Sequence, residues 1–249
     1  MNTMRLTTLA PIPGKNQYEC MAETYYHQSH TTTRAFEFAT SNALAENNID
    51  GILPGHCLAL DVGSGRGMLP EYLPEFAARA KRIELDLSRA MLAIPRGDPI
   101  AGLVQADATH LPFRDSLCQV VTAFLFDPFN KRDFLLEARR VCRRDGVFLG
   151  SLPSWEFASA ARRLLGIPPD KTVFKYKGST LIQDSYLSKP DELRSALMEV
   201  GFSRVLLFSG TLGKHAPDSL ISTQIVNSAR ERKVHPRQLP LVYVVVAQS

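Results

Sequence analysis

Short apolar runs alternate with amphipathic or polar segments along the middle of the chain. Five runs are continuous enough to predict strands that are buried on both faces: residues 56–62, 82–87, 101–107, 118–126 and 146–152. The segments between them predict helices over 68–80, 88–94 and 131–144. Strands that alternate with helices in this way predict an α/β fold, with a parallel sheet covered by helices on both faces.

Local signals refine three of these helices. Pro70 fits the opening turn of the helix over 68–80, whereas Pro74 is expected to bend it. Ser88 is the expected N-cap of the helix over 88–94. The helix over 131–144 places a group of cations in its last turn, where they suit the helix dipole: Arg139, Arg140, Arg143 and Arg144.

The two ends of the chain follow other patterns. Residues 1–16 are expected to be loose, and residues 18–47 predict one or two helices in which aromatic residues interrupt polar ones. Toward the other end, residues 189–202 and 218–233 predict two helices, and residues 204–210 and 241–249 predict two strands.

Composition narrows the class of protein. The chain of 249 residues is 45% hydrophobic and 22% charged, which suits one large core, and no repeat or linker divides it. A net charge of +4 without a concentrated basic face argues against a nucleic-acid partner. The four cysteines form no CxxC pair, so neither a metal site nor a disulfide framework is predicted.

No targeting segment is visible either. The first 15 residues lack the apolar region of a secretory signal, and no apolar run approaches the roughly 20 residues of a membrane span. We therefore expect a cytoplasmic protein, and the sequence does not indicate an oligomeric state.

The stretch LALDVGSGRG, residues 58–67, carries the clearest chemistry. The first predicted strand ends around Asp61, and glycines follow at positions 63, 65 and 67. Glycines after a buried strand let a ligand approach the backbone, and the next helix offers free N–H groups. A dinucleotide fingerprint would place its last glycine or alanine at residue 68, which is Met68. The spacing therefore fits a dinucleotide poorly.

Acidic residues close three successive predicted strands at Asp61, Asp86 and Asp107. A carboxylate at Asp86 can accept both hydroxyls of a ribose, and one at Asp107 can accept the amine of an adenine ring. Any one of these acids alone could simply cap the helix after its strand. Together with the glycines, the three acids favour a nucleoside-bearing ligand at the carboxyl edge of the sheet.

Four motifs, LALDVGSGRG, IELDLSRAML, VQADATHLPF and EARRVCRRDGVFL, resemble the ordered motifs of class I S-adenosylmethionine-dependent methyltransferases. The most similar type is the small-molecule group that includes the ubiquinone and menaquinone methyltransferases. The resemblance covers residues 57–152 and, more weakly, residues 187–202. It implies a Rossmann-like, seven-stranded, mostly parallel sheet with a C-terminal antiparallel hairpin, helices on both faces and an N-terminal helical lid.

The resemblance also implies a division of the chain into parts. The whole of 1–249 would be one methyltransferase domain, with lid helices over 1–50 and a cofactor-binding core over 57–152. Residues 153–188 and 211–239 would be insertions on the substrate side. Two departures from the family pattern are Gln119, where Asp is usual, and Arg144-Asp145-Gly146, where Pro-Gly-Gly is common.

The resemblance further implies S-adenosylmethionine as the cofactor and S-adenosylhomocysteine as the product. The glycine loop would hold the methionine portion, Asp86 the ribose, and Asp107 with the Ala108 backbone the adenine. Leu87 and Met91 would pack near the base. The full expected set of cofactor-binding residues is Asp61, Gly63, Ser64, Gly65, Gly67, Asp86, Leu87, Met91, Asp107, Ala108 and Phe124.

The expected reaction is an in-line displacement that moves the methyl group to O, N or C of a small-molecule or lipidic metabolite. The residues expected to line the substrate pocket are Tyr25, Tyr26, Phe126, Asp127 and Trp155. His27 and His30 are candidate bases because histidine titrates near neutral pH. The turn FDPFN, residues 126–130, has one proline too few for a base-methylating motif.

Two alternatives remain open at this point. The chain could methylate RNA or protein, using a basic group formed by Arg230, Arg232, Lys233 and Arg237. It could also keep the methyltransferase fold as a cofactor-binding protein that transfers no methyl group.

Overall fold

The structure, a computed structural model, describes residues 17–27, 30–176 and 179–249. Residues 1–16, which the sequence predicts to be loose, lie outside the described residues. The described part begins with three helices, α1 (Gln17–Met21), α2 (Thr31–Glu46) and α3 (Ile49–Ile52). The first two correspond to the predicted lid.

A seven-stranded sheet forms the centre of the molecule. Its strands are β1 (Leu58–Val62), β2 (Lys81–Asp86), β3 (Gly102–Gln105), β4 (Cys118–Ala123), β5 (Cys142–Pro153), β8 (Arg204–Gly210) and β9 (Val242–Gln248). A separate hairpin consists of β6 (Lys171–Tyr176) and β7 (Ser179–Asp184). The order across the large sheet is β3-β2-β1-β4-β5-β9-β8, and β9 runs antiparallel to both of its neighbours. The predicted fold class is confirmed.

The strand order creates a crevice. The chain proceeds outward from β1 through β2 to β3, and then returns to place β4 on the other side of β1. At such a reversal the connections leave in opposite directions, so the carboxyl ends of β1 and β4 lie beside open space. The ligand-binding edge expected from the sequence is therefore the edge that this topology opens.

Seven further α-helices belong to the described fold: α4 (Leu69–Tyr72), α5 (Pro74–Arg79), α6 (Arg89–Leu92), α7 (Arg132–Val141), α8 (Trp155–Leu165), α9 (Pro190–Glu199) and α10 (Thr223–Arg232). Ser88 caps α6 as predicted, since its hydroxyl accepts a hydrogen bond from the Met91 amide at 3.1 Å. A face of α7 with Phe134, Leu135, Ala138 and Val141 is buried against the sheet.

Two predicted helices are wrong in part. The helix over 68–80 is two short helices, because Leu73, the residue before Pro74, leaves the helical region with φ −139° and ψ 70°. Proline disfavours helical geometry in the residue that precedes it, so a break replaces the expected bend. The helix over 131–144 ends at Val141, and Arg143 and Arg144 therefore lie in β5 rather than in a last helical turn.

Each of the two lid helices is attached to the core of the protein. Glu19 of α1 accepts hydrogen bonds from the Ser88 hydroxyl at 2.6 Å and from the Ala90 amide at 3.2 Å, which ties α1 to the start of α6. Helix α2 lies across β8 and β9, where a side chain at Gly210 would meet the carbonyl oxygen of Ala39 at 2.5 Å. The absence of that side chain lets the two backbones approach.

Other properties of the described residues bear on the sequence analysis. No helix in these ranges has both the length and the apolar composition needed to cross a membrane. All four cysteines are free thiols, and Cys57, Cys118 and Cys142 are buried.

We predict that Gly210→Ala lowers the free energy of unfolding by about 1–3 kcal/mol, because the added methyl group would have to displace Ala39 of α2 or Val242 of β9. Urea unfolding measures the change. The matched control is Gly55→Ala, where no atom lies within 4 Å of the added carbon, and its effect is expected to stay within about 0.5 kcal/mol. Equal stability of the two variants would contradict the close approach of α2.

Candidate functional site

A cavity of about 420 Å³ lies at the carboxyl ends of the parallel strands, and we call it the first cavity. Ten of the eleven residues expected to bind a cofactor line it: Asp61, Gly63, Ser64, Gly65, Asp86, Leu87, Met91, Asp107, Ala108 and Phe124. The eleventh, Gly67, does not line it, and a side chain there would meet Glu84 instead. The sheet edge thus brings residues from the carboxyl ends of four strands, β1 to β4, and the segments that follow them to one space.

Asp86, the last residue of β2, organises this cavity. Its Oδ2 accepts the Gly65 amide at 2.9 Å and its Oδ1 accepts the Ser88 amide at 2.8 Å. Burial raises the pKa of Asp86, and these two hydrogen bonds oppose the rise. Each carboxylate oxygen has a second lone pair, so Asp86 can also accept two hydroxyls of a ligand.

Asp61 lies deeper in the same cavity, on β1. The Thr122 hydroxyl of β4 donates to its Oδ1 at 2.7 Å. Burial raises the pKa of Asp61 to about 7, against the opposing effect of that hydrogen bond. Asp61 is therefore partly protonated at neutral pH, and a cation in the cavity would favour its charged form.

Asp107 is exposed and stabilises its own turn. Its Oδ1 accepts both the amide and the hydroxyl of Thr109 at 2.8 Å. This is the capping role that any one of the three acids could have had alone. Asp107 nevertheless lines the first cavity beside Ala108, and it follows β3, two strands away from β1 and the glycine loop in the sheet order.

The glycine loop needs glycine for its backbone. The φ angles of 69°, 54° and 83° at positions 63, 65 and 67 lie in the left-handed region, which other residues rarely adopt. The space that the missing side chains leave is used by the protein itself. A side chain at Gly63 would lie 2.8 Å from the Phe129 ring, and one at Gly65 would meet the Tyr26 hydroxyl. The bare backbone at these two positions therefore makes room for protein side chains.

Arg96 holds the glycine loop through hydrogen bonds to backbone carbonyl oxygens. The sequence analysis did not identify this residue. Its guanidinium donates to the carbonyl oxygens of Gly65 at 2.7 Å and Met91 at 3.1 Å, and it pairs with Glu84 at 2.9 Å. Both Arg96 and Glu84 are buried in this arrangement. The residue that holds the glycine loop lies 31 positions beyond Gly65, with no local pattern to reveal it.

The charge of the first cavity favours a cationic ligand. Five carboxyl side chains line its described wall, against the single cation Lys131: Glu37, Asp61, Asp86, Asp107 and Asp133. Such a wall repels the pyrophosphate of a dinucleotide and attracts a positive centre. This agrees with the poor fit of the glycine spacing to a dinucleotide fingerprint.

Glu37 of α2 was also missed by sequence reasoning. It is 6% exposed and lines the first cavity, and burial raises its pKa to about 7. Thr33, Glu37, Thr40 and Leu44 are buried at helical spacing, so a charged residue in a stripe that faces inward was a signal that could have been read.

A second cavity of about 400 Å³ adjoins the first. Parts of the lid, the β6–β7 hairpin, α8 and α10 line it, and Tyr18, Tyr25 and Leu125 line both cavities. Of the residues expected to contact substrate, Tyr25 lies at both cavities, Tyr26 at the first and Asp127 at the second.

Two of the expected substrate-lining residues lie elsewhere. Phe126 is fully buried in the main core, where its ring centroid is 5.7 Å from that of Phe134 and 5.8 Å from that of Phe148. Its amide donates to the Ser151 carbonyl at 3.0 Å, so the chain after β4 turns this side chain inward. Trp155 packs against the same core, beneath the Lys189 ammonium.

Asp127 belongs to a buried polar network. The Ser185 hydroxyl donates to its carboxylate, and Arg162 of α8 donates to the Ser185 oxygen at 2.6 Å and to the Pro169 carbonyl. Burial raises the pKa of Asp127 to about 6, which the contacts with Ser185 and Arg162 oppose. The network ties α8 and the segment after β7 to the loop that follows β4.

The two candidate bases occupy different places. His30, the residue before α2, lines the second cavity, and burial together with the nearby charge of His27 lowers its pKa. His27 is not among the described residues that line either cavity. Within the described ranges, no three His, Cys, Asp or Glu side chains come together as a set of metal ligands.

Gln119, at the position where the resembling family has Asp, serves the sheet. Its Oε1 accepts the Leu58 amide at 3.0 Å at the start of β1. The departure therefore lies at the end of the strands that is remote from both cavities.

Comparisons with known proteins agree with this geometry. Residues 60–150 match the model of a family described as a methyltransferase domain. A search of curated proteins found no match. A chain from a complex that contains the Haloferax volcanii Trm112 methyltransferase activator is 15% identical, with a TM-score of 0.64 over 94% of this chain and 98% of that one.

Two further solved structures are similar in fold. A Thermotoga maritima S-adenosylmethionine-dependent methyltransferase is 15% identical, with a TM-score of 0.59 over 93% of this chain and 98% of that one. An Archaeoglobus fulgidus protein of the same kind is 15% identical, with a TM-score of 0.55 over 94% and 100%. Residues 60–150 therefore match a methyltransferase domain, and the chain has the fold of class I methyltransferases, which implies S-adenosylmethionine as the cofactor.

The residues present fit that cofactor. The wall of carboxylates suits a sulfonium, Asp86 has acceptor capacity for a ribose, and the Ser64 hydroxyl is buried in the cavity wall without a hydrogen-bond partner. A ligand with donor groups would satisfy that hydroxyl.

We predict that Asp86→Ala weakens binding of S-adenosylhomocysteine at least about tenfold, because it removes the expected ribose acceptor and releases the Gly65 amide. Titration calorimetry measures the Kd. Asp86→Asn, which keeps one carbonyl oxygen, should lose less, and Asp145→Ala, an exposed residue of β5, is the control. An unchanged Kd for Asp86→Ala would contradict the assignment.

We also predict a pH-dependent gain in stability for Asp61→Asn. Because the pKa of Asp61 is about 7 in the folded protein and about 4 when unfolded, the native state binds the extra proton between these values. Its contribution to stability is therefore lost as the pH rises through that window. Without cofactor, the variant should gain stability relative to the wild type between about pH 4 and about pH 7, by up to about 1.4 kcal/mol per pH unit within this window. A difference that does not change with pH would contradict the assignment.

Proposed function

We propose that this methyltransferase moves a methyl group from S-adenosylmethionine in the first cavity to a small-molecule or lipidic acceptor in the second, at O, N or C. The observation that supports it best is that the two cavities meet at Tyr18, Tyr25 and Leu125, beside the carboxyl ends of the strands. The resemblance to the ubiquinone and menaquinone methyltransferases points to the same class of acceptor.

When bound, S-adenosylmethionine supplies an electrophilic methyl group on a positively charged sulfur. Displacement at that carbon needs the nucleophile in line and little else, so the protein contributes alignment and exclusion of water. Rings provide the dry surroundings. Tyr18, Tyr25 and Phe174 pack with centroids 5.5 to 6.2 Å apart, and we call them the aromatic wall.

Leu125 marks the junction of the cavities through its backbone. Its φ of 51° lies in the left-handed region, which is uncommon for a residue other than glycine. The Leu125 amide donates to the Ser151 hydroxyl of β5 at 3.1 Å, which holds the strained turn. Strain of this kind persists where the surroundings enforce it and is frequent at functional sites. The turn would fix the contact surface between donor and acceptor.

The second cavity has the size and lining of a small-molecule site. Its volume lies within the range typical of such pockets, and its wall combines apolar rings with a few polar groups. Phe36 and Phe157 meet edge to face at 5.3 Å, while Thr32 and Ser222 place hydroxyls 3.1 Å apart. This mixture suits a compact acceptor with an apolar body and few polar atoms.

His30 is the better placed of the two candidate bases. It lines the second cavity, and its lowered pKa keeps the ring neutral at physiological pH, so it can take a proton from a hydroxyl or ammonium acceptor. A carbon acceptor that loses its proton in the reaction would need a base as well.

The alternative of an RNA or protein acceptor has less support. Two of the four cations in the expected basic group are used within the fold. Arg232 donates to the Ser159 hydroxyl at 2.8 Å, and Arg237 donates to the Ala216 carbonyl and pairs with Asp218, both at 2.6 Å. These contacts hold the 211–239 insertion and take both side chains away from a free anion-binding face.

The experiment is to incubate the protein with S-adenosylmethionine labelled in its methyl group and a cell extract that has been separated into dialysable metabolites, solvent-extracted lipids, RNA and protein. We predict that the label appears in a dialysable metabolite or a lipid that chromatography separates from S-adenosylmethionine. Label in RNA or protein would favour the alternative acceptors, and binding without transfer to any fraction would favour a protein that only binds the cofactor.

A variant ties the transfer to the second cavity. Ala161→Leu places a larger side chain of α8 in the second cavity and so reduces the space for an acceptor. It should lower kcat/KM for the labelled acceptor about tenfold or more and leave the Kd of S-adenosylhomocysteine unchanged. Ala45→Leu, the same change on the exposed face of α2, is the matched control.

A further inference from the structure

We propose that Glu37 of the lid helix α2 binds the cofactor, by accepting hydrogen bonds from the α-ammonium group of its methionine portion. The lid would then form part of the cofactor site as well as covering the acceptor. This inference rests on the proposed function, because it assumes that S-adenosylmethionine occupies the first cavity.

Glu37 is a buried acid that lacks directional partners. The residue is 6% exposed, and both of its carboxylate oxygens are buried without a hydrogen bond. A carboxylate removed from water without hydrogen bonds destabilises the protein, so such a group in a cavity wall indicates a ligand that satisfies it.

Arg34 compensates for only part of this cost. Its Nη1 lies 2.7 Å from Oε2 of Glu37, one turn away on α2, but the contact lacks hydrogen-bond geometry. The Arg34 side chain is 34% exposed, so water screens its charge. This ion pair lowers the charge cost of burying Glu37 and leaves its hydrogen-bonding capacity unused.

The position of Glu37 corresponds to the end of the cavity where the methionine portion is expected. The charges that act most on Glu37, apart from Arg34, are those of Arg66 in the glycine loop and Glu71 in α4. Tyr26, whose hydroxyl accepts the Arg66 amide at 3.3 Å, is a further neighbour. Asp107, which is expected to hold the adenine, lies beyond Asp86 at the other end of the sheet edge.

The chemistry of the two groups is complementary. An ammonium has three donors and no acceptor, whereas an ionised carboxylate only accepts. A pair of this kind makes short, charge-assisted hydrogen bonds, and each additional donor would satisfy an oxygen of Glu37 that is now without one. The acceptor molecule is a poorer candidate for this partner, because Glu37 lines the first cavity and is not among the residues that line the second.

A purely structural role for Glu37, as the partner of Arg34 on one helix, makes a different prediction. That role accounts for the ion pair and gives no reason for the carboxylate to face the cavity. It also predicts that removal of the charge would weaken every ligand of the cavity alike, through a general loss of order.

The test compares two ligands that differ only in the amino group: S-adenosylhomocysteine and its deaminated analogue, which keeps the adenosine, the thioether and the carboxylate. We expect Glu37→Gln to raise the Kd of S-adenosylhomocysteine about tenfold or more and to leave the Kd of the deaminated analogue nearly unchanged. Calorimetry measures both constants.

Two further variants support the comparison. Glu37→Asp keeps the charge but withdraws it by one methylene, so it should lose less affinity and still distinguish the two ligands. Glu71→Gln removes a nearby negative charge that is exposed and outside the cavity wall, and it should change neither Kd by more than about twofold.

Each other outcome overturns the inference. Equal weakening of both ligands by Glu37→Gln would assign Glu37 a structural role, and an unchanged Kd for S-adenosylhomocysteine would exclude the contact. Failure of the proposed function looks different: the wild-type protein would bind neither ligand. If Glu37→Gln does not fold, Glu37→Asp with the same two ligands still decides the question.

Discussion

The clamp on the glycine loop is the interaction on which the rest of the site depends. Asp86 holds the Gly65 amide from the end of β2, and Arg96 holds the Gly65 carbonyl from the segment after α6. The peptide groups on both sides of Gly65 are therefore held by side chains, which fixes the left-handed backbone of the loop in the wall of the first cavity. Asp86 also holds the Ser88 amide, so the same carboxylate fixes the loop and the start of α6. The carboxylate that is expected to bind the ribose is thereby held in place by the backbone amides around it.

The acids of the first cavity show how function and stability conflict. Burial raises the pKa of both Glu37 and Asp61 to about 7, so each would be more stable in water than where it lies. Such groups persist because the sheet and the lid enforce their positions. A cationic ligand relieves this strain, since it favours the charged form of every carboxylate around it. The buried acids that are unfavourable without a ligand therefore suit a cationic ligand such as a sulfonium.

The parallel strands and part of the first cavity could be predicted from the sequence because they depend on local sequence patterns. The apolar runs of the parallel strands and the cap at Ser88 depend on near neighbours, and the carboxyl edge of a parallel sheet then brings Asp61, Asp86 and Asp107 together. Arg96 and Glu37 could not be found in this way, because their roles arise from packing between distant segments. Phe126 was misplaced because the turn at Leu125 directs its side chain into the core. The β6–β7 hairpin was not predicted, although residues 172–176 are rich in β-branched and aromatic residues and a Lys-Gly pair follows them.

The two cavities of the proposed reaction also differ in how far apart in the chain their residues lie. The first cavity is built mostly from the continuous core, residues 58–133, where the sheet dictates which side chains meet. The second is built from segments far apart in the chain, the lid, the region after β5 and the insertion before β9. Those segments can change without disturbing the sheet, because they pack on its edge and contribute few of its strands. Under the proposed function, these segments would therefore select the acceptor, whereas the core would hold the methyl donor. Tyr18 and Tyr25 belong to the N-terminal lid and line both cavities. A substitution at either residue that alters the second cavity would therefore also alter the first, so these two positions would couple acceptor binding to cofactor binding.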